Sequence, residues 1–393
     1  MTISLTRRAI GTSVTYYLSR ARRIKEISPP LEAVAVRTVN ICRPEIIGAV
    51  RPFFKEEQTS RIADTEWYTA HQIVQEHLNR QVVVLRPLQV HEFRNAYLVD
   101  GSVYLGDAMR IELRSELMRS SLWRRFSVLP VAPKFEFSEA ALVASVAGST
   151  WFGHWLEDEL PLQMLSAHFA PPIAHTRPEY RDEPYYRNLL NLENPKRVGT
   201  AFVSRLTIID EFAQNPSKTR RYWRIRKQLA GRPKGADRVF LNRGGSGTAR
   251  SLRNEKELLD RFYAEGYSIV EIGTSSLPEL LRVLNGASLV VSVEGSHLAH
   301  ALYAMAEFGT MVVLNPPERA YTTVADIAPF CKLHASMFIC SPNEDGSFSA
   351  DVDELLEFVE DAISDSKARR GELEHFIDLL RRCPVGDLGY GRS

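Results

Sequence analysis

The sequence predicts an α/β fold organised around a parallel sheet, preceded by a more strand-rich region. Three observations carry this expectation. From about residue 213, short apolar strands alternate with helix-length amphipathic segments, the pattern of consecutive βαβ units. The first half is instead dominated by runs rich in Val, Leu and Tyr, the residues that suit a pleated surface. The chain has 393 residues, 44% hydrophobic and 25% charged, which is a globular composition and too long for one ordinary core.

Residues 4 to 26 carry Arg7, Arg8, Arg20, Arg22, Arg23 and Lys25 beside Ile10, Val14, Tyr17, Leu18 and Ile24. This pattern suits a basic helix, either packed on its own domain or resting on an anionic membrane surface. Pro29-Pro30 ends the segment, because proline cannot continue a helix and restricts the residue before it. From 33 to 146 strands are expected, among them QVVVLRPL and FRNAYLVDGSVYLGD, with Asp100-Gly101 as a tight hairpin signal. ALVASVAG, at 141 to 148, reads as a buried strand. WFGHWLEDELPLQMLSAHFA spaces Trp151, Trp155, Leu156 and Leu160 as a helix does, and Pro161 ends or kinks it unless a second helix begins there. Residues 171 to 200, rich in proline, tyrosine and charge, read as a long loop. SRLTIID is a strand.

After a helical stretch near 213 to 230 the alternation is regular. DRVFLNR, YSIVEIG, LVVSVEG and TMVVLNP are strands, and NEKELLDRFYAEG, LPELLRVLNGA and SHLAHALYAM are the helices between them. Two more helices are expected, near 351 to 363 and 367 to 382. These readings divide the chain into a basic segment (1 to 30), an N-terminal domain (31 to 212), a C-terminal domain (213 to 350) and terminal helices (351 to 393) that cap one domain or cross to the other.

Composition also narrows the function. The net charge of +1 creates no global field for nucleic acid. Cys42, Cys331, Cys340 and Cys383 have neither a CxxC nor a Cys/His spacing, so neither a disulfide framework nor a zinc site is expected. No apolar run approaches the roughly 18 to 20 residues that span a bilayer, and the N-terminus lacks the apolar stretch of a signal peptide. A cytoplasmic location in a bacterial cell is the expectation, with contact at the inner membrane face through residues 4 to 26 as an option.

Three places could carry chemistry. In RVFLNRGGSGTARSLRNEKELL a strand ends at Asn242-Arg243, a glycine-rich turn follows, and a helix begins after Asn254. Asn254 and Glu257 suit a helix cap. Arg243, Arg250 and Arg253 bracket the turn at the carboxyl end of a strand, where open α/β sheets bind ligands, and arginine forks match phosphate oxygens. The turn superficially resembles a dinucleotide fingerprint, but Arg250 stands where the third glycine belongs, which disfavours NAD. In LVVSVEGSHLAHALY an apolar strand breaks at Glu294-Gly295-Ser296 before a helix that starts at His297-Leu298. That places helix N-terminal amides at the strand's end, where they attract anions; a simple turn glycine explains the same residues. In FGHWLEDELP, His154 and Asp158 share a helix face as an i, i+4 pair beside Trp151 and Trp155. This suits a proton-transfer or sugar-stacking face, or a salt-bridged surface. Between the two, Asp158 is the first choice of base, its pKa expected to be raised by Trp155 and Glu157, with His154 close behind and Glu294 next.

At these three places the chain resembles the glycosyltransferase 61 family, inverting transferases of capsular-polysaccharide loci and of eukaryotic xylosyl and N-acetylglucosaminyl transfer. The family's H-W-L-x-D-x-L-P matches His154, Trp155, Leu156, Asp158, Leu160 and Pro161. Its strand arginine followed by R-x-x-N-E matches Arg243, then Arg250, Arg253, Asn254 and Glu255. Its G-A-G-L helix start matches Gly295-Ser296-His297-Leu298, with Glu294 where the family usually has histidine. The likeness runs from about 141 to 317. It implies a GT-B-like fold, two Rossmann-type domains facing across a cleft, the N-terminal one with extra β structure, and no obligatory metal. It also implies transfer of a sugar from a nucleotide diphosphate donor, a UDP-sugar first, to a saccharide acceptor in surface-polysaccharide synthesis. A non-catalytic nucleotide- or glycan-binding subunit of a polysaccharide assembly complex is the alternative. Oligomeric state is not legible.

Overall fold

The computed structural model describes residues 30–65, 67–99, 102–105, 109–111, 133–211, 213–230, 232–244, 252–321 and 323–386, and the structural statements here concern those residues. The basic segment at 4 to 26, the Asp100-Gly101 turn and Arg250 lie outside them. The chain divides into two compact units. Unit 1 comprises Met1–Pro44, Arg86–Lys218 and Pro384–Ser393, and unit 2 comprises Glu45–Leu85 and Thr219–Cys383. Strands and helices are numbered below in chain order.

Unit 1 is built on an eight-stranded mixed sheet of β1 (Arg37–Cys42), β4 (Leu88–Val99), β5 (Ser102–Leu105), β6 (Met109–Ile111), β7 (Phe135–Leu142), β8 (Pro172–His175), β9 (Lys196–Val198) and β10 (Thr200–Asp210). The main order is β6-β5-β4-β10-β7-β8-β9, with β1 also on β4. The long central pair β4–β10 is antiparallel, whereas β10–β7, β7–β8 and β8–β9 are parallel. One core buries Phe93, Ala96, Leu98, Val203, Leu206 and Ile208, residues that leave the two central strands. Val99 is level with Ser102 in the antiparallel β4–β5 pair.

Two local expectations fail in unit 1. ALVASVAG is not one strand: β7 ends at Leu142, and Val146–Thr150 is a helix (α1) whose start is capped by Ser145 Oγ accepting from the Gly148 amide at 2.9 Å. A serine cap outweighs the apolar run behind it. Residues 171 to 200 are not a long loop, since they contain β8, β9 and the helix Glu183–Leu189. The prolines there begin elements rather than break them. Pro172 opens β8 and Pro184 sits in the first helical turn, where a missing N–H costs nothing. Pro161 behaves alike. The helix α2 (Phe152–His154) runs through a π turn (Trp155–Glu159) into α3 (Leu160–Ser166), with Pro161 in the first turn of α3.

Unit 2 carries the anticipated βαβ succession. Its strands β11 (Arg238–Asn242), β12 (Ser268–Glu271), β13 (Leu289–Val293), β14 (Thr310–Asn315) and β15 (His334–Ile339) form an all-parallel sheet in the order β12-β11-β13-β14-β15. The crossovers include α6 (Glu255–Ala264), α7 (Leu277–Leu284) and α8 (Leu298–Ala304), and α5 (Pro216–Ala230) precedes β11. The near-continuous apolar strands are buried, as both-face coverage by helices requires. β15 escapes the sequence rhythm because the helix before it, Thr323–Ile327, is too short to announce a βαβ unit. The segment at 45–85 also belongs to unit 2. Its antiparallel ribbon β2 (Glu45–Gly48) and β3 (Val82–Leu85) flanks Phe53, which exchanges backbone hydrogen bonds with Ala335 and Met337 along the edge strand β15. The terminal helices Val352–Ala368 and Arg370–Arg382 pack in this unit.

Candidate functional site

The order β12-β11-β13 means that the chain leaves β11 on one side and returns to pair on the other. Such a reversal opens a crevice at the carboxyl ends of the two flanking strands, the usual ligand position in open α/β sheets. In unit 2 that crevice lies where β11 ends in Asn242-Arg243 and β13 in Glu294-Gly295. Arg243 bridges it: Nη1 donates to the Glu294 carbonyl at 2.9 Å. Arg243 as a whole residue is buried, 8% exposed. Gly295 makes room for it, because a Cβ there would lie 2.6 Å from Arg243 Nη1 and 2.9 Å from His297 Nδ1. His297 is buried with its Nε2 2.8 Å from Ser292 Oγ, while that hydroxyl also donates to the Leu241 carbonyl at 2.6 Å. Ser292 thereby ties β11, β13 and the start of α8 together. Glu294 is half-buried, and its amide donates to the Leu314 carbonyl.

Three expectations need correction here. The amides of Leu298, Ala299 and His300 are already engaged by the carbonyls of Gly295, Ser296 and His297, so the start of α8 does not offer them to an anion. Arg253 already has a carboxylate partner: it pairs with Asp345 at 2.5 Å while its amide donates to the Phe348 carbonyl. Asn254 occupies the N-cap position of α6 without capping a backbone amide of the helix; its Nδ2 donates to the Glu257 carboxylate at 3.2 Å and to the Ala350 carbonyl at 2.7 Å. In addition, β12 ends on an acid, Glu271, level with Asn242.

The second group of residues is in unit 1, on the helix that contains the π turn. Such turns insert one residue into an α-helix and are frequent at functional sites. Asp158 is buried at the centre of a charge chain. Its Oδ2 lies 2.8 Å from His154 Nδ1, and its Oδ1 accepts from the Lys218 ammonium, which is fully buried in the first turn of α5. Burial alone would push the Asp158 carboxyl up, but the Lys218 charge and the bonded His154 outweigh it and hold the pKa below the ordinary value. The expected rise towards neutrality is therefore reversed. Burial pushes His154 down, yet the Asp158 carboxylate outweighs this and leaves the imidazole above its ordinary value. His154 keeps 26% of its side-chain exposure against 11% for Asp158 and none for Lys218, so the imidazole is the member that meets solvent. Trp151 is exposed and lies against it, ring centroids 5.9 Å apart, whereas Trp155 is buried and unavailable for stacking.

Chemically this is a carboxylate–imidazole pair in which Nδ1 is held by an ionised acid, so Nε2 is the basic atom of the ring. Lys218 was not among the sequence candidates. It lies 60 positions from Asp158, and no local pattern joins them.

Residues 152–313 match the Glycosyltransferase 61 family model, a span that includes His154, Asp158, Lys218, Arg243 and the Glu294–Leu298 turn. The match supports a glycosyltransferase. No curated protein matches the chain. Among the described residues, no helix is long and apolar enough to cross a membrane.

Proposed function

We propose that the protein is an inverting, metal-independent glycosyltransferase that moves a sugar from a nucleoside diphosphate donor, UDP-linked in the first instance, to a saccharide acceptor of a surface polysaccharide. The reading adopts the GT-B division of labour, with the donor on unit 2 and the acceptor and base on unit 1. One observation carries it above the rest: His154 is held through Nδ1 by a carboxylate that Lys218 keeps ionised. That arrangement makes an oriented base out of an otherwise ordinary surface histidine.

In the proposed step, His154 Nε2 takes the proton of an acceptor hydroxyl. The acceptor oxygen forms its bond to the anomeric carbon as the carbon–oxygen bond to the diphosphate breaks, and a single displacement inverts that centre. Negative charge grows on the departing diphosphate, where the Arg243 guanidinium at the β11/β13 crevice would meet it. Trp151, exposed beside His154, offers an apolar face for the acceptor ring.

A thermal-shift panel of UDP, GDP, CMP, ADP and NAD tests the donor class. A ligand at a hundred times its Kd should stabilise by roughly 2.7 kcal/mol. Selective stabilisation by a nucleoside diphosphate is expected, and selective stabilisation by NAD would overturn the reading.

A further inference from the structure

Unit 2 has a second feature at the opposite edge of its sheet. A cleft of about 510 Å³ is lined by residues that immediately precede β13, β14 and β15, hence at the amino ends of the parallel strands, away from Arg243. Its volume is in the range of small-molecule sites. Five cations line it, Arg226, Lys227, Arg232, Lys234 and Lys332, against one lining carboxylate, Glu307, and Asp237 beside the lining, which pairs with Lys234 at 2.9 Å. In a chain whose net charge is only +1, such a concentration is local.

The cations are placed with some care. Arg226 is 5% exposed, its Nη atoms donating to the Leu302 and Met305 carbonyls, while its Nε has no hydrogen-bond partner. A buried guanidinium donor left unsatisfied is costly unless something else meets it. Lys332 adopts a left-handed backbone, φ 61°, at a helix end where glycine or asparagine is usual. Phe308, φ 65°, is left-handed too, and its amide donates to the Lys332 carbonyl at 2.8 Å. Strained non-glycine residues persist where the surroundings demand them, and they cluster at ligand clamps. The Lys332 ammonium lies 5.2 Å from the centre of the Trp223 ring and 2.5 Å from Glu307. Gly286, at φ 73°, lets the Lys234 stem lie close: a Cβ there would be 3.2 Å from Lys234 Cγ.

We propose that this cleft binds a soluble, phosphate-bearing small molecule, at a site separate from the Arg243 crevice. Guanidinium and ammonium groups converging on one pocket match phosphate oxygens in both charge and donor geometry. Pyrophosphate titrated calorimetrically into the full chain tests this. The Arg243→Ala protein should retain a binding event. Adding Lys227→Glu and Lys234→Glu, both exposed side chains, should weaken that event by at least about tenfold while leaving the ligand-free melting temperature in place. Loss of all binding in Arg243→Ala, or binding indifferent to the two charge reversals, overturns the proposal. So does retention on phosphatidylglycerol vesicles without affinity for pyrophosphate, which would make the ligand a lipid headgroup. Because Arg243→Ala alone reports on the donor crevice, failure of that site and failure of this one are read separately.

Discussion

His154 and Asp158 meet at 2.8 Å across one turn of helix, and Lys218 holds the other oxygen of the same carboxylate. The Asp158 carboxyl is thus held below its ordinary value despite its burial, which fits the positioning role proposed for it better than that of the base. Asp158→Asn keeps shape and removes the charge that orients the imidazole, so kcat should fall by roughly 10² to 10⁴ with donor affinity unchanged. Near-normal turnover in that variant would make the helix structural.

Lys218 gives this arrangement a pH signature. If His154 is the base, as proposed, it must be neutral to act; its pKa is raised, so kcat should fall as pH drops through a value above the ordinary histidine one. Lys218 opposes that rise. Lys218→Met should therefore move the acidic limb of the profile to higher pH, and should destabilise the fold by about 3 to 5 kcal/mol because a buried carboxylate loses its partner. A limb that stays in place would detach Lys218 from the chemistry.

Gly295 and Arg243 form a steric pair. Gly295→Ala should displace the guanidinium and weaken nucleotide binding by about 1.5 to 3 kcal/mol, as Arg243→Ala should. The double variant should lose little more than either single one, since both remove the same contact. Full additivity in calorimetric titrations would contradict a shared role.

The donor crevice is proposed to neutralise the diphosphate with arginine, so transfer should survive EDTA. Activity lost in chelator and restored by Mn²⁺ or Mg²⁺ would refute this part of the mechanism.

Glu159 offers a stability test beside the catalytic turn. It is buried, accepts from the Ser145 amide at 2.6 Å and has Arg177 at 3.7 Å, yet burial dominates and pushes its carboxyl up to about 7. The folded chain therefore holds a proton that the unfolded chain, near 4.5, releases. Its contribution to stability is present below pH 4.5, declines as pH rises towards 7 and is lost above, by at most about 3 kcal/mol. Glu159→Gln keeps the acceptor and removes the charge, so it should be more stable than the parent at pH 8 and no more stable at pH 4. Parallel urea-unfolding curves at both pH values would exclude the assignment.

What the sequence reveals follows the range of the interactions. The unit 2 sheet was legible because strand and helix periods alternate locally from Arg238 to Asn315. The His154–Asp158 pair was legible because i, i+4 spacing is local, and so was the Arg243 strand end. Lys218 was not, because its contact with Asp158 exists only after the chain has folded back. The region at 171 to 200 was misread for a related reason. Glu183, fully buried, accepts from Arg187 at 2.5 Å and Arg197 at 2.7 Å, so charges that look like a solvated loop are the interior of a packed helix. The partners of Arg253 and Asn254 at Asp345 and Ala350 lie 92 and 96 positions away, beyond the reach of any local pattern.

Measuring kcat and donor Kd on the same His154→Gln protein decides whether this imidazole is the base. With a general base removed, kcat should fall by roughly 10² to 10⁴ while donor Kd stays unchanged, because the Arg243 crevice is untouched. A His154→Gln protein that turns over at the parent rate, with its donor bound as before, would contradict that role.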